Sequence, residues 1–194
     1  SRKLPVIMNP YGGPHAQRVL EVARAYNEAQ WIADQGFAVI IADGRGSPGR
    51  GPAWERTIKS DLATFPLQDQ VDALHGIAEL WPADIDTDRV GITGWSFGGY
   101  LAALAVLRRP DVFHAAVAGA PVTEWRLYDS AYTERYLGDP VTAAANYDAT
   151  SLLPLAPGLQ RPLMIIHGFA DDNVVVAHSV QLSSALTAAG CPHT

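Results

Sequence analysis

The run Gly94-Trp95-Ser96-Phe97-Gly98 carries the strongest chemical signal in the sequence. It follows a short strand-like segment, Arg89 to Thr93, and precedes an alanine- and leucine-rich segment typical of a helix. A serine between two glycines at such a strand-to-helix turn is typical of a catalytic nucleophile, because the turn exposes the hydroxyl and the glycines permit close packing around it. The start of the following helix favours negative charge on the reacting oxygen. Ser96 is therefore predicted to act as a nucleophile.

A nucleophilic serine needs partners, and the second half of the sequence offers a carboxylate. Such serines rely on a histidine base that is oriented by an acidic side chain. The apolar run Leu163 to Ile166 is followed by Asp171 and Asp172, which a parallel strand would deliver to the same sheet edge as Ser96. The residues alone leave both aspartates open as the acid. His167 could join them in a metal site, but no further ligands cluster there, so no metal is predicted.

Short apolar runs alternate with helix-like stretches along most of the chain. Continuous apolar runs are typical of strands covered on both faces, as in a parallel sheet. The predicted strands are 4–8, 37–42, 90–93, 115–118 and 163–166. The predicted helices are 19–35, 66–81, 99–109 and 175–189. Gly36 and Gly190 follow two of these helices, where a left-handed residue is favoured. The alternation predicts an α/β class fold with three layers and a mostly parallel central sheet, interrupted by an excursion over 120–161.

Composition and charge exclude several classes of function. The 194 residues are 48% hydrophobic and 18% charged, which supports a domain with a buried core rather than disorder. A formal net charge of −6 argues against a nucleic-acid partner. The sequence has no apolar run of membrane-spanning length and does not start with a signal-peptide pattern, which favours the cytoplasm without deciding the compartment. A single cysteine, Cys191, cannot form an internal disulfide.

Two further motifs imitate cofactor or ion sites. Residues 44–49 match the glycine spacing of a dinucleotide-binding loop, but Pro48 is incompatible with the helix that such a loop opens. Residues 84–88 place three aspartates at alternate positions, as a calcium loop does, whereas Arg89 stands where that loop needs glycine. The preferred interpretations are a structured loop and a turn, and no cofactor is predicted.

Several stretches together resemble the prolyl oligopeptidase family of serine peptidases, in particular its dipeptidyl-peptidase IV branch. The run Tyr-Asp-Ser-Ala-Tyr-Thr-Glu-Arg-Tyr at 128–136 is far more particular to this branch than the nucleophile motif, which occurs in many hydrolases. The matching stretches are 9–14, 43–47, 94–100, 120–122, 128–136 and 167–174. The resemblance implies an α/β-hydrolase fold and hydrolysis of peptide bonds after proline or alanine near the amino terminus of peptides.

The resemblance also implies roles for individual residues. Ser96 would be the nucleophile and Asp171 the acid of a Ser-His-Asp triad. Tyr11 and the backbone amide of Phe97 would stabilise the oxyanion. Asn173 would hydrogen-bond a substrate carbonyl. The pocket for the residue before the scissile bond would be lined by Val122, Trp125, Tyr128, Tyr132 and Val174. Flat aromatic walls of this kind suit proline or alanine and exclude longer side chains.

Two parts of the family's pattern have no counterpart in these 194 residues. The family's triad histidine follows the acid after one further strand, which from Asp171 falls beyond Thr194, and His193 lies too close to the acid to replace it. Relatives also carry an N-terminal β-propeller, which needs several blades of short strands. The sequence is thus predicted to be a partial catalytic domain over 1–194, incomplete at the C-terminus, with a substrate-pocket excursion at 120–161. Such a fragment is expected to be essentially inactive alone.

Two alternatives stay open at this point. One is an acylaminoacyl peptidase or esterase of the same fold, and the other is a non-catalytic binding module whose histidine never existed. The expected partner of the serine peptidase that the resemblance implies is a peptide substrate, and a homodimer of the full-length protein is a further prediction.

Overall fold

The computed structural model describes residues 3–194 and contains a five-stranded, fully parallel sheet. The strands are β1 (Leu4–Met8), β2 (Ala38–Ile40), β3 (Ile85–Trp95), β4 (Ala115–Gly119) and β5 (Leu163–Ile166). Their order across the sheet is β2-β1-β3-β4-β5, so the strand that precedes Ser96 lies at the centre. All five predicted strands are present, and the parallel pairing explains why their apolar runs are continuous.

The central strand is longer than the sequence pattern suggests because it contains an irregularity. β1 pairs with β3 through Pro5↔Asp86 and then Val6↔Val90, so three residues of β3 bulge out between these pairs. Within the bulge, Arg89 Nε donates to Asp86 Oδ2 over 2.7 Å, and the Asp88 amide donates to Asp86 Oδ1 over 3.0 Å. The aspartate-rich run is thus a hydrogen-bonded irregularity at the start of the nucleophile strand.

Seven α-helices and four short 3₁₀ turns occur in residues 3–194. The helices are α1 (Asn27–Asp34), α2 (Pro52–Glu55), α3 (Thr64–Leu80), α4 (Phe97–Arg108), α5 (Ser130–Leu137), α6 (Ala144–Thr150) and α7 (Ala177–Ala188). The 3₁₀ turns are Ala23–Tyr26, Arg56–Ile58, Trp125–Leu127 and Leu153–Gly158. Gly36 and Gly190 have φ of 94° and 70°, in the left-handed region predicted for residues that end α1 and α7. In this part of the chain, no helix combines the length and apolar character needed to cross a membrane.

The first predicted helix, 19–35, is wrong in its first half. Residues 19–22 are not helical, a 3₁₀ turn covers 23–26, and α1 begins only at Asn27. The backbone amides of Arg18 and Val19 donate to the Asp43 carboxylate, and the Leu20 amide donates to the Tyr26 hydroxyl. These contacts fasten residues 18–20 to Asp43 and Tyr26 outside a helix, and Val22 is extended, with φ −136° and ψ 105°. Apolar periodicity cannot reveal such contacts.

Helix α4, which begins directly after Ser96, forms the centre of the core. Its residues from Phe97 to Leu107 are all buried, and it packs against β3 and β4. Four successive small or aliphatic side chains, residues 102–105, have no exposed surface. Small side chains allow the helix to approach the sheet closely, which holds the residue at its N-terminus in place.

Replacing Tyr100 with phenylalanine tests the contact between α4 and the excursion. The buried Tyr100 hydroxyl donates to the Thr150 carbonyl over 3.0 Å, so its loss leaves a buried carbonyl unpaired. We expect the free energy of unfolding to fall by about 1–2 kcal/mol, measured by urea denaturation. Tyr26→Phe removes an exposed hydroxyl that donates to the Leu20 carbonyl and should change stability by less than about 0.5 kcal/mol. Equal losses in the two variants would contradict the role of burial.

Candidate active site

Ser96 occupies a one-residue turn between β3, which ends at Trp95, and α4, which starts at Phe97. Its backbone has φ 58° and ψ −117°, a conformation that non-glycine residues rarely adopt. The Ser96 amide donates to the Gly119 carbonyl of β4 over 2.9 Å, and the Ser96 carbonyl accepts from the Tyr100 amide over 2.9 Å. Two backbone hydrogen bonds therefore hold the serine in a strained turn at the carboxyl edge of the sheet.

The glycines around Ser96 are needed because backbone segments pass unusually close together. A Cβ added at Gly94 would lie 2.6 Å from the Gly98 carbonyl carbon, and one at Gly98 would lie 2.5 Å from the Pro10 carbonyl oxygen. A Cβ at Gly99 would lie 2.2 Å from the Gly119 carbonyl oxygen. Contacts of this length are prohibited between rigid backbone atoms, so the motif's spacing reflects the packing of three neighbouring segments.

Tyr11, in the loop after β1, lies beside the serine turn. Its ring centroid is 6.0 Å from that of Phe97. Burial and the neighbouring Tyr128 raise the pKa of the Tyr11 hydroxyl, while the polar Ser96 side chain partly offsets that rise. The Tyr11 hydroxyl therefore stays protonated near neutral pH and can donate a hydrogen bond to an oxyanion. The amide of Phe97 is the first of α4 and has no acceptor within that helix.

Asp171 is held by its own turn, in a loop two strands away from the nucleophile strand. Its Oδ1 accepts from the Asn173 amide over 3.0 Å and from the Val174 amide over 2.9 Å. Its Oδ2 lies 3.7 Å from Nε2 of His167, whose ring is itself bonded to Ser179 Oγ and the Val174 carbonyl. Asp172 is exposed. The hydrogen bonding thus distinguishes the first aspartate as the one whose carboxylate is oriented.

Of the five pocket residues named by the resemblance, the three aromatic ones pack together as a wall. Trp125 and Tyr132 are stacked with ring planes 8° apart and centroids 6.1 Å apart. Tyr128 meets the Tyr132 ring edge-on at 5.2 Å, and Val122 and Val174 are buried. Burial, then the nearby Tyr11, raises the pKa of the Tyr132 hydroxyl above its ordinary value. The aromatic wall is therefore rigid and lies next to Tyr11.

Asn173 joins the acid loop to this wall. The Tyr128 hydroxyl donates to Asn173 Oδ1 over 3.3 Å, across 45 residues of sequence. Two of the residues that the resemblance assigns to substrate contact are thus hydrogen-bonded to each other.

The histidines of the described residues are engaged away from Ser96. His15 bonds Tyr136, His114 accepts from the Val90 amide, and His167 bonds Ser179. His178 is buried beneath the pocket wall, and His193 bonds Ser183. His75 lies on the exposed side of α3. Within residues 3–194, no histidine forms a hydrogen bond with the Ser96 side chain, and no group of three or more potential metal ligands occurs.

Sequence reasoning missed one contact of the site. His15 Nε2 and the Tyr136 hydroxyl are 2.6 Å apart, and the His15 ring lies 5.7 Å from the ring of Tyr132. This contact fastens the Tyr11 loop to α5. Tyr132 and Tyr136 are four residues apart on a helix, which is the only sequence signal of a shared face, and nothing in the sequence connects them to His15.

Comparison with known proteins agrees with this geometry. The model of the prolyl oligopeptidase family matches residues 23–194. The chain belongs to this family. It is 40% identical to dipeptidyl peptidase 8 of Homo sapiens over 99% of the chain and 22% of that protein. It is 37% identical to dipeptidyl peptidase 4 of Sus scrofa over 98% of the chain and 25% of that protein.

Solved structures of the family show the same fold. Dipeptidyl peptidase 4 of Porphyromonas gingivalis superposes with a TM-score of 0.91 at 38% identity, over 100% of this chain and 27% of that one. A putative dipeptidyl aminopeptidase IV of Bacteroides ovatus gives a TM-score of 0.93 at 35% identity. The expected α/β-hydrolase fold is therefore confirmed. The chain spans about a quarter of the length of the relatives it matches.

Proposed function

We propose that this chain supplies the nucleophile, acid and substrate pocket of a serine peptidase that releases dipeptides from peptides with proline or alanine in second position. The observation that carries the proposal is the strained Ser96 turn beside an aromatic wall that includes a stacked Trp125–Tyr132 pair. The names of the relatives, dipeptidyl peptidases 8 and 4, support the substrate class. Residues 1–194 would form part of the catalytic domain, and 120–161 would be its pocket excursion.

The proposed reaction follows the order of a serine triad. A histidine outside these 194 residues takes the proton of Ser96 Oγ as this oxygen bonds to the substrate carbonyl carbon. The Tyr11 hydroxyl and the Phe97 amide donate hydrogen bonds to the resulting oxyanion. The histidine then protonates the leaving amine as the peptide C–N bond breaks, and water hydrolyses the acyl-serine by the reverse proton path. Asp171 orients the histidine.

The pocket explains the proposed specificity. The partly exposed rings of Tyr128 and Tyr132 present flat surfaces that fit a compact pyrrolidine ring or a methyl group. Val122, Trp125 and Val174 are buried and would form the layer behind them. Asn173, already bonded to Tyr128, would turn its amide group to a substrate carbonyl. A longer side chain would have to displace buried Trp125, which packs against the rings of both Phe97 and Tyr100.

The test of this function uses an extended form of the protein that carries, past Thr194, the strand and histidine segment that the resemblance places there. We expect it to hydrolyse Gly-Pro and Gly-Ala chromogenic amides in preference to simple acyl esters. A preference for acyl esters would favour the esterase alternative. Tight binding of a Gly-Pro peptide without hydrolysis would favour the binding module.

Tyr11→Phe tests the oxyanion role in the same extended form. Loss of one oxyanion donor is expected to lower kcat about 10²–10³-fold while leaving KM close to that of the parent. Tyr26→Phe, which removes a hydroxyl outside the site, serves as the matched control and should keep full activity. An unchanged kcat in Tyr11→Phe would contradict the assignment.

A further inference from the structure

His178 lies at the second position of α7 and has no exposed surface. Its Nδ1 accepts from the Thr123 amide over 3.1 Å and from the Glu124 amide over 3.4 Å. In return, the Thr123 hydroxyl donates to the His178 carbonyl over 2.7 Å. One buried imidazole therefore receives two backbone amides from a segment 54 and 55 residues earlier in the chain.

The segment that His178 holds forms part of the pocket wall. It runs from Val122 to Trp125, both of which are buried, and the Trp125 ring stacks directly behind that of Tyr132. The helix that carries His178 begins three residues after Val174, at the end of the acid loop. The Thr123 carbonyl is separately anchored because it accepts from the Leu152 amide over 2.9 Å. His178 thus connects the pocket wall to α7, the helix that directly follows the loop of Asp171 and Asn173.

The hydrogen bonds from Thr123 and Glu124 require an unprotonated Nδ1, because two N–H groups already point at this atom. The proton of the neutral ring is then on Nε2, which is buried without a partner in the part of the chain that the structure describes. Burial, and then the neighbouring His167 ring, lowers the pKa of His178 to about 4, against a smaller opposing effect of the Glu124 carboxylate. The ring is therefore neutral at physiological pH.

We propose that His178 is a positioning residue of the peptide pocket, which it holds in its binding geometry only as a neutral imidazole. The claim rests on the proposed function in so far as the pocket receives a peptide. Protonation of Nδ1 would place a donor against two amide donors, so the wall segment would separate from α7. Since the pKa is about 4 in the folded protein and 6.5 in a free histidine, the stabilising effect is complete above pH 6.5 and is lost as the pH falls towards 4.

Two variants separate hydrogen bonding from packing. His178→Asn keeps an acceptor, Oδ1, at the position that Nδ1 occupies, and it does not titrate. His178→Leu fills a similar volume and has no acceptor. Amide hydrogen exchange of Thr123 is measured by NMR in the 194-residue chain from pH 4 to 7, with Ile92 of the central strand as the reference for global opening.

In His178→Leu, we expect the Thr123 amide to exchange at least about tenfold faster relative to Ile92 than in the wild type at pH 7. The Asn variant should retain most of the protection. As the pH falls towards 4, the wild type should lose Thr123 protection before Ile92 protection, and the Asn variant should not. Equal protection of Thr123 in the Leu variant and the wild type would overturn the proposal, as would a parallel loss in the wild type and the Asn variant.

A binding experiment tests whether His178 affects the pocket. The tripeptide Gly-Pro-Ala is titrated into each variant, and binding is measured from the chemical-shift changes of the Trp125 indole. The Leu variant should bind at least about tenfold more weakly than the Asn variant at pH 7. Equal binding by both variants would overturn the positioning role. If the wild type binds no peptide, the proposed function fails, whereas the exchange data still decide whether His178 holds the wall.

Discussion

The 194-residue chain alone is expected to hydrolyse a Gly-Pro chromogenic amide on the order of a million-fold more slowly than a complete serine triad does. Ser96 is in the strained turn of a nucleophile, and Asp171 is oriented by two backbone amides. The missing function is proton transfer, because the six histidines are engaged elsewhere or lie on the exposed side of a helix. A serine hydroxyl without its base is a weak nucleophile near neutral pH.

The measurement compares the chain with its Ser96→Ala variant, each at several enzyme concentrations. Both should release product at the same slow rate. This rate should equal the uncatalysed rate in buffer plus the small contribution of non-specific catalysis by protein. Adding the extended form provides the positive control, and its own Ser96→Ala variant should lose about a million-fold in kcat. Rapid hydrolysis by the 194-residue chain that disappears in Ser96→Ala would show that one of the six histidines serves as the base. The proposal that the base lies outside these 194 residues would then be wrong.

The largest expected effect on stability comes from Gly99→Ala, in the first turn of α4. Helix propensity alone would make this change stabilising by about 1 kcal/mol. The added Cβ, however, would lie 2.2 Å from the Gly119 carbonyl oxygen of β4. Both partners are backbone in buried elements, so neither can move without separating α4 from the sheet. We expect the free energy of unfolding to fall by about 3 kcal/mol, measured by urea denaturation.

Gly76→Ala is the matched control for this prediction. Gly76 also lies within a helix, α3, but it is exposed and a Cβ added there would meet nothing within 4 Å. This substitution should stabilise the protein by about 0.5–1 kcal/mol, because only the helix propensity changes. If Gly99→Ala proved as stable as Gly76→Ala, the close approach of α4 to β4 would be contradicted.

The same substitution should also disturb the nucleophile turn. The Gly119 carbonyl that the new Cβ would strike accepts the Ser96 amide over 2.9 Å. Displacing this carbonyl removes one of the two backbone hydrogen bonds that hold Ser96 at φ 58°. In the extended form, Gly99→Ala is therefore expected to lose activity even where it remains folded.

The elements of the fold were largely predictable because their signals are local. Continuous apolar runs identified all five strands, and Gly36 and Gly190 marked the ends of two helices through their left-handed backbone. The first helix was predicted wrongly where the chain makes contacts with distant residues. The Asp43 carboxylate accepts hydrogen bonds from the amides of Arg18 and Val19, which lie 25 and 24 residues earlier in the chain. No short window of neighbouring residues contains that information.

The candidate site also combines features that the local sequence predicts with features that only the fold decides. The turn at Ser96 could be predicted by itself, because its glycine spacing is a local sequence pattern, although two of the close approaches behind it involve the distant Pro10 and Gly119. The residues alone left Asp171 and Asp172 open, and only the folded loop shows which carboxylate accepts the two turn amides. Contacts such as Tyr128 with Asn173 or His178 with Thr123 join positions 45 and 55 residues apart. These depend on how the excursion packs over the sheet, which is settled by the burial of whole surfaces rather than by any short pattern of residues.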